Sequence, residues 1–392
     1  MFLYFALILT SYVFASYVLR LPLGRLPRAG LLVLVFLSSG RLLIMRSVFG
    51  GLGGIEANRW LLLATSFLQG LIVMLFLLSL ARDLAWVLSF LAGKGLGRAA
   101  RVWLGGPAAA IVVLALAAGL DLAGLIGAAR VPGVRRAEVV VNDWPRGLDG
   151  LKVAVLADMH ISRFFDRGWV EEVVARTMAE KPDLILVPGD LVDGTAEARG
   201  PDVAPLASLG APYGVWACVG NHEYISRLNE WLPVFDRLGI AVLYNAHRVI
   251  MPRGIPVILA GLADLSALSP RYGLEGPDLG LALAGAPADL PVILMEHRPV
   301  RARENALDPR VALQVSGHTH GGMMPILASF VKKSNGGFLS GFYDVGGMKL
   351  FVQPGLGLWS GFPVRLFVPS EITVLTIRTG ETAALGQDVA RG

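Results

Sequence analysis

The chain has 392 residues, of which 54% are hydrophobic and 17% are charged, and its mean hydropathy is +0.59. Soluble globular chains carry about 25% charged residues, so the composition argues against a purely soluble protein. The formal net charge of +5 does not indicate a nucleic-acid-binding protein, because many of the arginines lie in short loops between apolar segments. The single cysteine, Cys218, lies in a predicted strand and excludes an intrachain disulfide.

Residues 1–130 predict an α-helical transmembrane bundle of about four helices. A spanning helix needs about 20 mostly apolar residues, and four segments qualify or nearly do: residues 2–19, 31–49, 60–80 and 107–128. The first lacks the basic start of a signal peptide and is interpreted as an anchor. The second is interrupted by Arg41, so a re-entrant or interfacial segment is the alternative there.

The distribution of basic residues predicts a multi-pass protein of the cell inner membrane with an extracytoplasmic C-terminal domain. The loops after the first and third segments hold Arg20, Arg25, Arg28, Arg82, Lys94, Arg98 and Arg101, whereas the loop after the second holds Arg46 and Arg59. Loops rich in Lys and Arg face the cytoplasm, and four crossings then put both termini outside. If the second segment does not span, the domain is cytoplasmic.

Residues 131–150 predict a connector, with a short strand in AEVVV followed by turn residues. From Leu151, β-like runs alternate with helical ones. Residues 168–180 have the periodicity of an amphipathic helix, and the strand DLILV follows. This βαβ order predicts an α/β domain over residues 151–385 with a largely parallel sheet, in which ligands bind at the carboxyl ends of the strands.

Five short apolar runs in this domain each end in side chains that bind metal ions. They read AVLADMH (154–160), LILVPGDLVD (184–193), VWACVGNHE (215–223), VILMEHRP (292–299) and LQVSGHTHGG (313–322). Five of the six histidines of the chain lie in these runs. The candidate ligands are Asp158, His160, Asp190, Asn221, His297, His318 and His320.

Oxygen and imidazole ligands in this mixture suit Mn, Fe or Zn, and the lack of a thiolate excludes a zinc finger. Seven ligands suffice for two divalent ions if one carboxylate bridges. Two ions roughly 3.5–4 Å apart bind a phosphate through two oxygens and activate a water molecule for attack on phosphorus. His222, beside Asn221, is the predicted catalytic proton donor, while Asp193 and Glu223 are predicted to support the ligand loops.

The ordered series D-x-H, G-D-x-x-D, G-N-H-E, H and G-H-T-H resembles the calcineurin-like metallophosphoesterase superfamily over about residues 151–375. The resemblance implies a four-layer αββα sandwich. It also implies one ion held by Asp158, His160, Asp190 and His320, and a second held by Asp190, Asn221, His297 and His318. In this likeness Asp190 bridges the ions, and His222 is the general acid or stabilises the transition state.

The segments VRRAEVVV, LDGLKVAVLADMHIS and GHTHGG are similar to the membrane-associated branch that includes the YkuE and YaeI phosphoesterases. We therefore predict a membrane-anchored dinuclear-metal phosphoesterase that hydrolyses a phosphodiester or pyrophosphate bond. Its partners are membrane lipid and a phosphate-containing small molecule or lipid, which is lipid-linked or confined to the surface; no nucleic acid is expected. One alternative is a UDP-2,3-diacylglucosamine pyrophosphatase of lipid A synthesis, which needs a cytoplasmic domain. The other is a non-catalytic, metal-bound membrane receptor.

Overall fold

The computed structural model describes residues 2–49 and 56–380, and these form two compact units. The helical unit comprises residues up to 130 together with Ile161–Asp166 and Gly357–Pro369. The sheet unit comprises Val131–His160, Arg167–Leu356 and the residues from Ser370 onward. The end of the predicted domain at residue 385 lies outside the described residues.

The described part of the helical unit contains six α-helices, and apolar residues dominate the long ones. They are α1 (Phe2–Ser16), α2 (Arg25–Ser39), α3 (Arg41–Phe49), α4 (Arg59–Leu88), α5 (Lys94–Gly105) and α6 (Pro107–Ala129). Among the described residues, Leu3–Arg20, α4 and α6 are long and apolar enough to cross a membrane. Helices α2 and α3 pass the same test together but bend by 67° at Gly40 and Arg41. The helices thus provide three candidate spans, or four if the bent pair counts as one.

Contacts along α4 give the direction of its neighbours. Tyr12 of α1 packs against Phe76, and Arg82 donates a hydrogen bond to the carbonyl oxygen of Ser16, so α1 runs parallel to α4. Gly70 lies against Asp121 of α6, and Gly105, just before α6, lies against Trp86, so α6 is antiparallel to α4.

The bent pair also runs against α4. Arg28 of α2 donates to the carbonyl oxygens of Leu19 and Leu21, beyond the C-terminal end of α1. Arg41, at the start of α3, reaches Thr65 in the first half of α4. The connection between α1 and α2 (residues 20–25) and the segment between α4 and α6 (residues 89–106) therefore lie at one end of the helical unit. Arg59 and Arg130 lie at the other end.

Two short segments from the sequence of the predicted α/β domain pack with these helices. Ile161–Asp166 follows His160 directly, and its Asp166 forms an ion pair with Arg59 at the start of α4. In Gly357–Pro369, the backbone N–H of Arg365 donates to the carbonyl oxygen of Gly124 at 3.0 Å. Val364 fills the space that a side chain at Gly124 would need. These segments bury apolar side chains, including Phe165 and Val364, and this explains their place among apolar helices.

The sheet unit contains two six-stranded sheets, in the order β1-β12-β2-β3-β4-β5 and β10-β11-β9-β8-β7-β6. The strands are β1 (Gly133–Asn142), β2 (Leu151–Val155), β3 (Leu184–Pro188), β4 (Val215–Cys218), β5 (Ile240–Val242), β6 (Ala246–Ile250), β7 (Val257–Gly261), β8 (Val292–Met295), β9 (Val311–Ser316), β10 (Gly341–Val345), β11 (Met348–Val352) and β12 (Glu371–Gly380). The helices are α7 (Arg167–Ala179), α8 (Ala196–Val203), α9 (Asn221–Ile225), α10 (Leu228–Arg237), α11 (Leu279–Ala282), α12 (Ala302–Asn305) and α13 (Pro325–Ser334).

Both sheets are mixed. Strands β2 to β5 are parallel, as the βαβ pattern predicts, and α7 begins and ends one residue before the predicted helix. Strand β12 inserts antiparallel to β2 and parallel to β1, with which it pairs from Gly133 opposite Glu371 to Asn142 opposite Gly380. The predicted connector therefore contributes a ten-residue strand to the first sheet.

The two sheets share one apolar core. Val153 and Leu186 of the first sheet lie in the same buried cluster as Ile293, Leu313 and Phe351 of the second. Their strands read as nearly continuous aliphatic runs, as expected for parallel strands covered on both faces. Cys218, which ends β4, lies buried in this cluster and packs as a core residue. The rigid strand ends then position the side chains that follow them.

Candidate metal centre

Each candidate ligand follows the carboxyl end of a buried strand. Asp158 and His160 follow β2, Asp190 follows β3, Asn221 follows β4, His297 follows β8, and His318 and His320 follow β9. Strands β2, β3 and β4 are parallel to one another in the first sheet, and β8 and β9 are parallel in the second, so within each sheet their carboxyl ends meet along one edge. The structure accordingly gathers all seven side chains, with the contacts described below.

One group consists of Asp158, His160 and His320, whose ligand atoms lie within 4.8 Å of one another. The Nε2 atoms of His160 and His320 are 3.3 Å apart. Asp158 Oδ1 lies 3.6 Å from Nε2 of His320 and 4.0 Å from Nε2 of His160. Asp158 and His160 are fully buried.

A second group consists of Asp190, His297 and His318, and Asn221 lies beside it. His297 Nε2 is 3.2 Å from three atoms: Oδ2 of Asp190, Oδ1 of Asn221 and Nδ1 of His318. The other ring nitrogen of His297 donates to the carbonyl oxygen of Pro188 at 2.9 Å, which leaves Nε2 as the lone-pair nitrogen.

Asp190 connects the two groups. Its Oδ2 atom is 3.2 Å from Nε2 of His297 and 3.7 Å from Nε2 of His160. Buried imidazole lone pairs that face one another and face carboxylate oxygens repel unless a cation lies between them. The donor set therefore fits divalent metal ions, with Asp190 positioned to be shared.

The charges of these buried groups are strongly coupled. Burial raises the pKa of Asp158 to about 6. Burial also disfavours the charged form of Asp190, but the imidazole of His297 outweighs it and holds the pKa of Asp190 well below its usual range. Burial disfavours the imidazolium of His297, yet Asp190 raises the pKa of His297 to about 10. A cation bound here would take over the place of that proton.

His222 belongs to neither of these two groups, but its ring centroid lies 4.5 Å from that of His160, and His160, Asp193 and His222 form a third group whose ligand atoms lie within 4.8 Å of one another. The Nδ1 atom of His222 lies 2.5 Å from Oδ1 of Asp193, and the same oxygen lies 3.2 Å from Nδ1 of His160. Its backbone N–H donates to Oδ1 of Asp190 at 2.8 Å. Burial disfavours its charged form, but Asp193 and Asp190 raise the pKa of His222 to about 9. Asp193 thus orients a candidate ligand and the candidate proton donor together, as its predicted supporting role requires.

Glu223 holds two ligand loops in register. Its Oε2 atom accepts hydrogen bonds from the backbone N–H groups of Asp190 (2.9 Å) and Gly220 (2.7 Å). Its Oε1 atom accepts from those of Leu191 (2.7 Å) and Val192 (3.3 Å). One buried carboxylate therefore binds the loop after β3 to the loop after β4, and this geometry fits the predicted anchoring role.

The backbone of the centre is strained. Five of the seven candidate ligands have positive φ, a conformation that glycine adopts far more readily: Asp158 (54°), His160 (48°), Asp190 (53°), His318 (70°) and His320 (48°). Such residues rarely adopt this region, and each instance costs about 1–3 kcal/mol. Strain concentrated in this way is typical of a site in which function dictates the conformation.

Neighbouring glycines make room for the carboxylates. A Cβ atom at Gly317 would lie 2.3 Å from Oδ2 of Asp158, and one at Gly220 would lie 2.2 Å from Oδ1 of Asp190. Both distances are far below van der Waals contact. The glycines of G-H-T-H and G-N-H-E are therefore a steric requirement of the ligand positions.

Arg298, which follows His297, is a candidate functional residue that is not among those predicted from the sequence. Its Nε donates to Oδ2 of Asp264 at 2.8 Å, and its Nη2 donates to Oδ1 of Asp264 and to Oγ of Ser266. Asp264 also caps a short turn by accepting a hydrogen bond from the backbone N–H of Ser266. A fixed arginine beside a candidate ligand is suited to bind an anion. A basic residue next to the histidine was the available signal in the sequence.

Comparison with known proteins agrees with this geometry. Residues 151–322 match the calcineurin-like phosphoesterase family model. A transmembrane protein with metallophosphoesterase domain from Danio rerio is 31% identical over 274 residues, which are 68% of this chain and 62% of that protein. This chain thus spans less than two thirds of that relative.

Two bacterial relatives are covered more fully. The uncharacterized metallophosphoesterase Cj0846 of Campylobacter jejuni is 30% identical over 269 residues, 68% of each chain. The uncharacterized metallophosphoesterase YkuE of Bacillus subtilis is 30% identical over 242 residues, which are 60% of this chain and 82% of YkuE. The chain belongs to the calcineurin-like phosphoesterase family.

Proposed function

We propose that the protein is a membrane-anchored phosphoesterase with two divalent ions, and that it hydrolyses a phosphodiester or pyrophosphate bond. The observation that carries this proposal is the position of Asp190, whose Oδ2 atom faces His160 on one side and His297 on the other. A shared carboxylate between two imidazole-rich groups is the arrangement that a pair of ions requires.

In this proposal the seven ligands are divided between two ions according to the contacts described above. Asp158, His160 and His320 hold one ion with Asp190, and Asn221, His297 and His318 hold the other with Asp190. Bound divalent ions supply Lewis acidity, which polarises a phosphoryl oxygen and lowers the pKa of a water molecule. Manganese, iron and zinc all suit these donors.

His222 supplies the proton for the leaving oxygen. Its Nδ1 atom is held by Asp193, so the proton that it transfers is the one on Nε2. The carboxylates of Asp193 and Asp190 favour the imidazolium form that can donate. Arg298, held by Asp264, contributes positive charge for the phosphate of the substrate.

We further propose that the substrate is lipid-linked or confined to the membrane surface. The same chain contains three candidate spans, or four with the bent pair, and anchoring concentrates the enzyme where such substrates occur. Seven basic residues lie in or beside the connections α1–α2 and α4–α5: Arg20, Arg25, Arg28, Arg82, Lys94, Arg98 and Arg101. The prediction that all of them lie in loops is wrong, because Arg25 and Arg28 belong to α2, Arg82 to α4, and Lys94, Arg98 and Arg101 to α5. The two connections lie at the end of the helical unit opposite Arg130, from which the chain continues into the sheet unit.

If the basic segments face the cytoplasm, the sheet unit lies on the extracytoplasmic side of a bacterial inner membrane. Arg130, Arg135 and Arg136 follow α6 and favour the opposite orientation. That orientation would suit a UDP-2,3-diacylglucosamine pyrophosphatase, whose substrate is cytoplasmic. Alkaline phosphatase fused to the C-terminus is active only outside the cytoplasm and would support our proposal, whereas a fluorescent cytoplasmic fusion would support the alternative.

Catalysis is tested with the purified full chain in detergent, supplied with Mn²⁺ and bis-p-nitrophenyl phosphate. We expect hydrolysis by the wild type, loss of most turnover in His222→Ala at unchanged metal content, and wild-type turnover in His247→Ala. His247 is a matched control because its Nδ1 atom contacts the carbonyl oxygen of Ala282 and no candidate ligand. A wild type that binds metal but hydrolyses nothing would instead support the receptor alternative.

A further inference from the structure

We propose that the helical unit holds one anionic phospholipid at the bend between α2 and α3, with its phosphate on Arg41 and an acyl chain in the adjoining cavity. This site is separate from the metal centre and does not depend on the proposed reaction. A cavity, a buried cation and the apolar character of the surrounding helices indicate this site.

The cavity has a volume of about 260 Å³ and lies between the bent pair and α4. Its walls are mostly aliphatic, with Leu34 and Leu37 from α2, Met45 from α3 and Leu68 from α4. Leu34 and Leu37 also reach the outer surface of the helical unit, where they are well exposed. The cavity is therefore continuous with an apolar surface, and a hydrocarbon chain can enter from the bilayer.

Arg41 lines the same cavity and is only 2% exposed. Its Nε donates to Oγ1 of Thr65 at 2.9 Å, and its Nη1 donates to Oε1 of Gln69 at 3.2 Å. Nη1 and Nη2 also donate to the carbonyl oxygen of Ser360, and Nη1 donates to that of Gly361. Every one of these acceptors is neutral.

No carboxylate lies within 4.0 Å of this guanidinium among the residues that the structure describes. A buried cation without a counter-anion costs several kcal/mol, and neutral carbonyl groups offset only part of this. Nη2 makes a single contact, with the carbonyl oxygen of Ser360, so one of its N–H groups remains available. A phosphate oxygen would complete the hydrogen bonding and neutralise the charge.

The surroundings select a lipid over a soluble phosphate. Helices α2 and α3 together are apolar enough to cross a membrane, so the cavity opens toward hydrocarbon. Arg41 contacts Thr65, which lies six residues after the first residue of α4, or about 9 Å along the 30-residue candidate span, and this is near the headgroup level. Arg41 therefore lies at the depth of a phospholipid phosphate, with the aliphatic cavity beside it.

The test measures lipid retained by the full chain. The protein is reconstituted in nanodiscs of phosphatidylglycerol and phosphatidylcholine, extracted in mild detergent, and examined by native mass spectrometry. We expect one retained phosphatidylglycerol per chain, preferred over phosphatidylcholine by about tenfold, as for a charge-assisted contact worth about 1.4 kcal/mol. Equal retention of the two lipids would overturn the proposal.

Variants separate the site from general lipid binding. Ser38→Phe fills the cavity while the contacts of Arg41 remain, and Arg41→Gln removes the charge; both should abolish the preferential retention. Val33→Phe is the matched control, because Val33 lies on the same helix, does not line the cavity and is 58% exposed. If Ser38→Phe folds with an unchanged circular dichroism spectrum and retains phosphatidylglycerol as Val33→Phe does, the retained lipid is annular only and the proposal is wrong.

Discussion

Replacing Gly317 by alanine should inactivate the metal centre through one methyl group. The new Cβ atom would lie 2.3 Å from Oδ2 of Asp158 and 2.8 Å from Cβ of Ala157, whereas ordinary contact begins at 3.4 Å. Gly317 does not have positive φ, so alanine fits the backbone conformation and the effect is purely steric. Asp158 must therefore move by about 1 Å.

Asp158 cannot move by this distance without weakening its hydrogen bonds and lowering the rate of the reaction. It is fully buried, and both of its carboxylate oxygens accept from the backbone N–H of His318, at 3.1 and 3.0 Å. A misplacement of about 1 Å costs on the order of 100-fold in rate. We therefore expect kcat/KM of Gly317→Ala to fall about 100-fold and its metal content to fall with it. Overpacking should also lower the free energy of unfolding by about 1–3 kcal/mol.

The assay is hydrolysis of bis-p-nitrophenyl phosphate at saturating Mn²⁺, with bound metal counted by inductively coupled plasma mass spectrometry. Gly347→Ala is the matched control, because a Cβ atom there meets nothing within 4 Å and the residue lies outside the ligand loops. The steric reasoning is refuted if Gly317→Ala retains the metal content and the kcat/KM of Gly347→Ala.

Glu223→Gln replaces one acceptor oxygen with a donor amide, so two of the four buried backbone N–H groups that Glu223 binds lose their acceptor. The free energy of unfolding in urea should therefore fall by about 3 kcal/mol. An unchanged urea midpoint would contradict this. Asp193→Asn removes the charged acceptor shared by His160 and His222, and metal titration should show an affinity about 10–100-fold weaker. Arg298→Ala should raise KM by about tenfold at unchanged metal content, since it removes a charge-assisted contact with the substrate phosphate; an unchanged KM would exclude that contact. Dialysis against a chelator should abolish hydrolysis and added Mn²⁺ should restore it, whereas activity that survives verified metal removal would disprove metal dependence.

The convergence of the seven candidate ligands could be predicted because it depends on short sequence patterns at the ends of strands. Each ligand follows an aliphatic run short enough to be a strand, and parallel strands present their carboxyl ends at one edge. The periodicity of α7 likewise located a helix to within one residue at each end. The division of the ligands between two ions remains a prediction, as does the number of layers.

Features that depend on distant residues could not be predicted. The pairing of β1 with β12 joins Val134 to Ile372, and no local pattern indicates such a partner. The packing of Gly357–Pro369 with the membrane helices depends on the fit of Val364 against Gly124, which composition does not reveal. Positive φ at Asp158 and His160 could not be predicted from the sequence either, since residues other than glycine rarely adopt it.

The position of β12 between β1 and β2 constrains how the protein is made. Glu138 of β1 binds Arg378 of β12, 240 positions later in the chain. At roughly 5–20 residues per second, the ribosome needs about 10–50 s to synthesise that interval. Throughout this time β1 and β2 have exposed hydrogen-bonding edges, because β12 has not yet been synthesised. Such edges invite pairing with other chains. Biogenesis of this protein therefore includes a vulnerable interval, during which a chaperone or rapid translation would protect the nascent sheet.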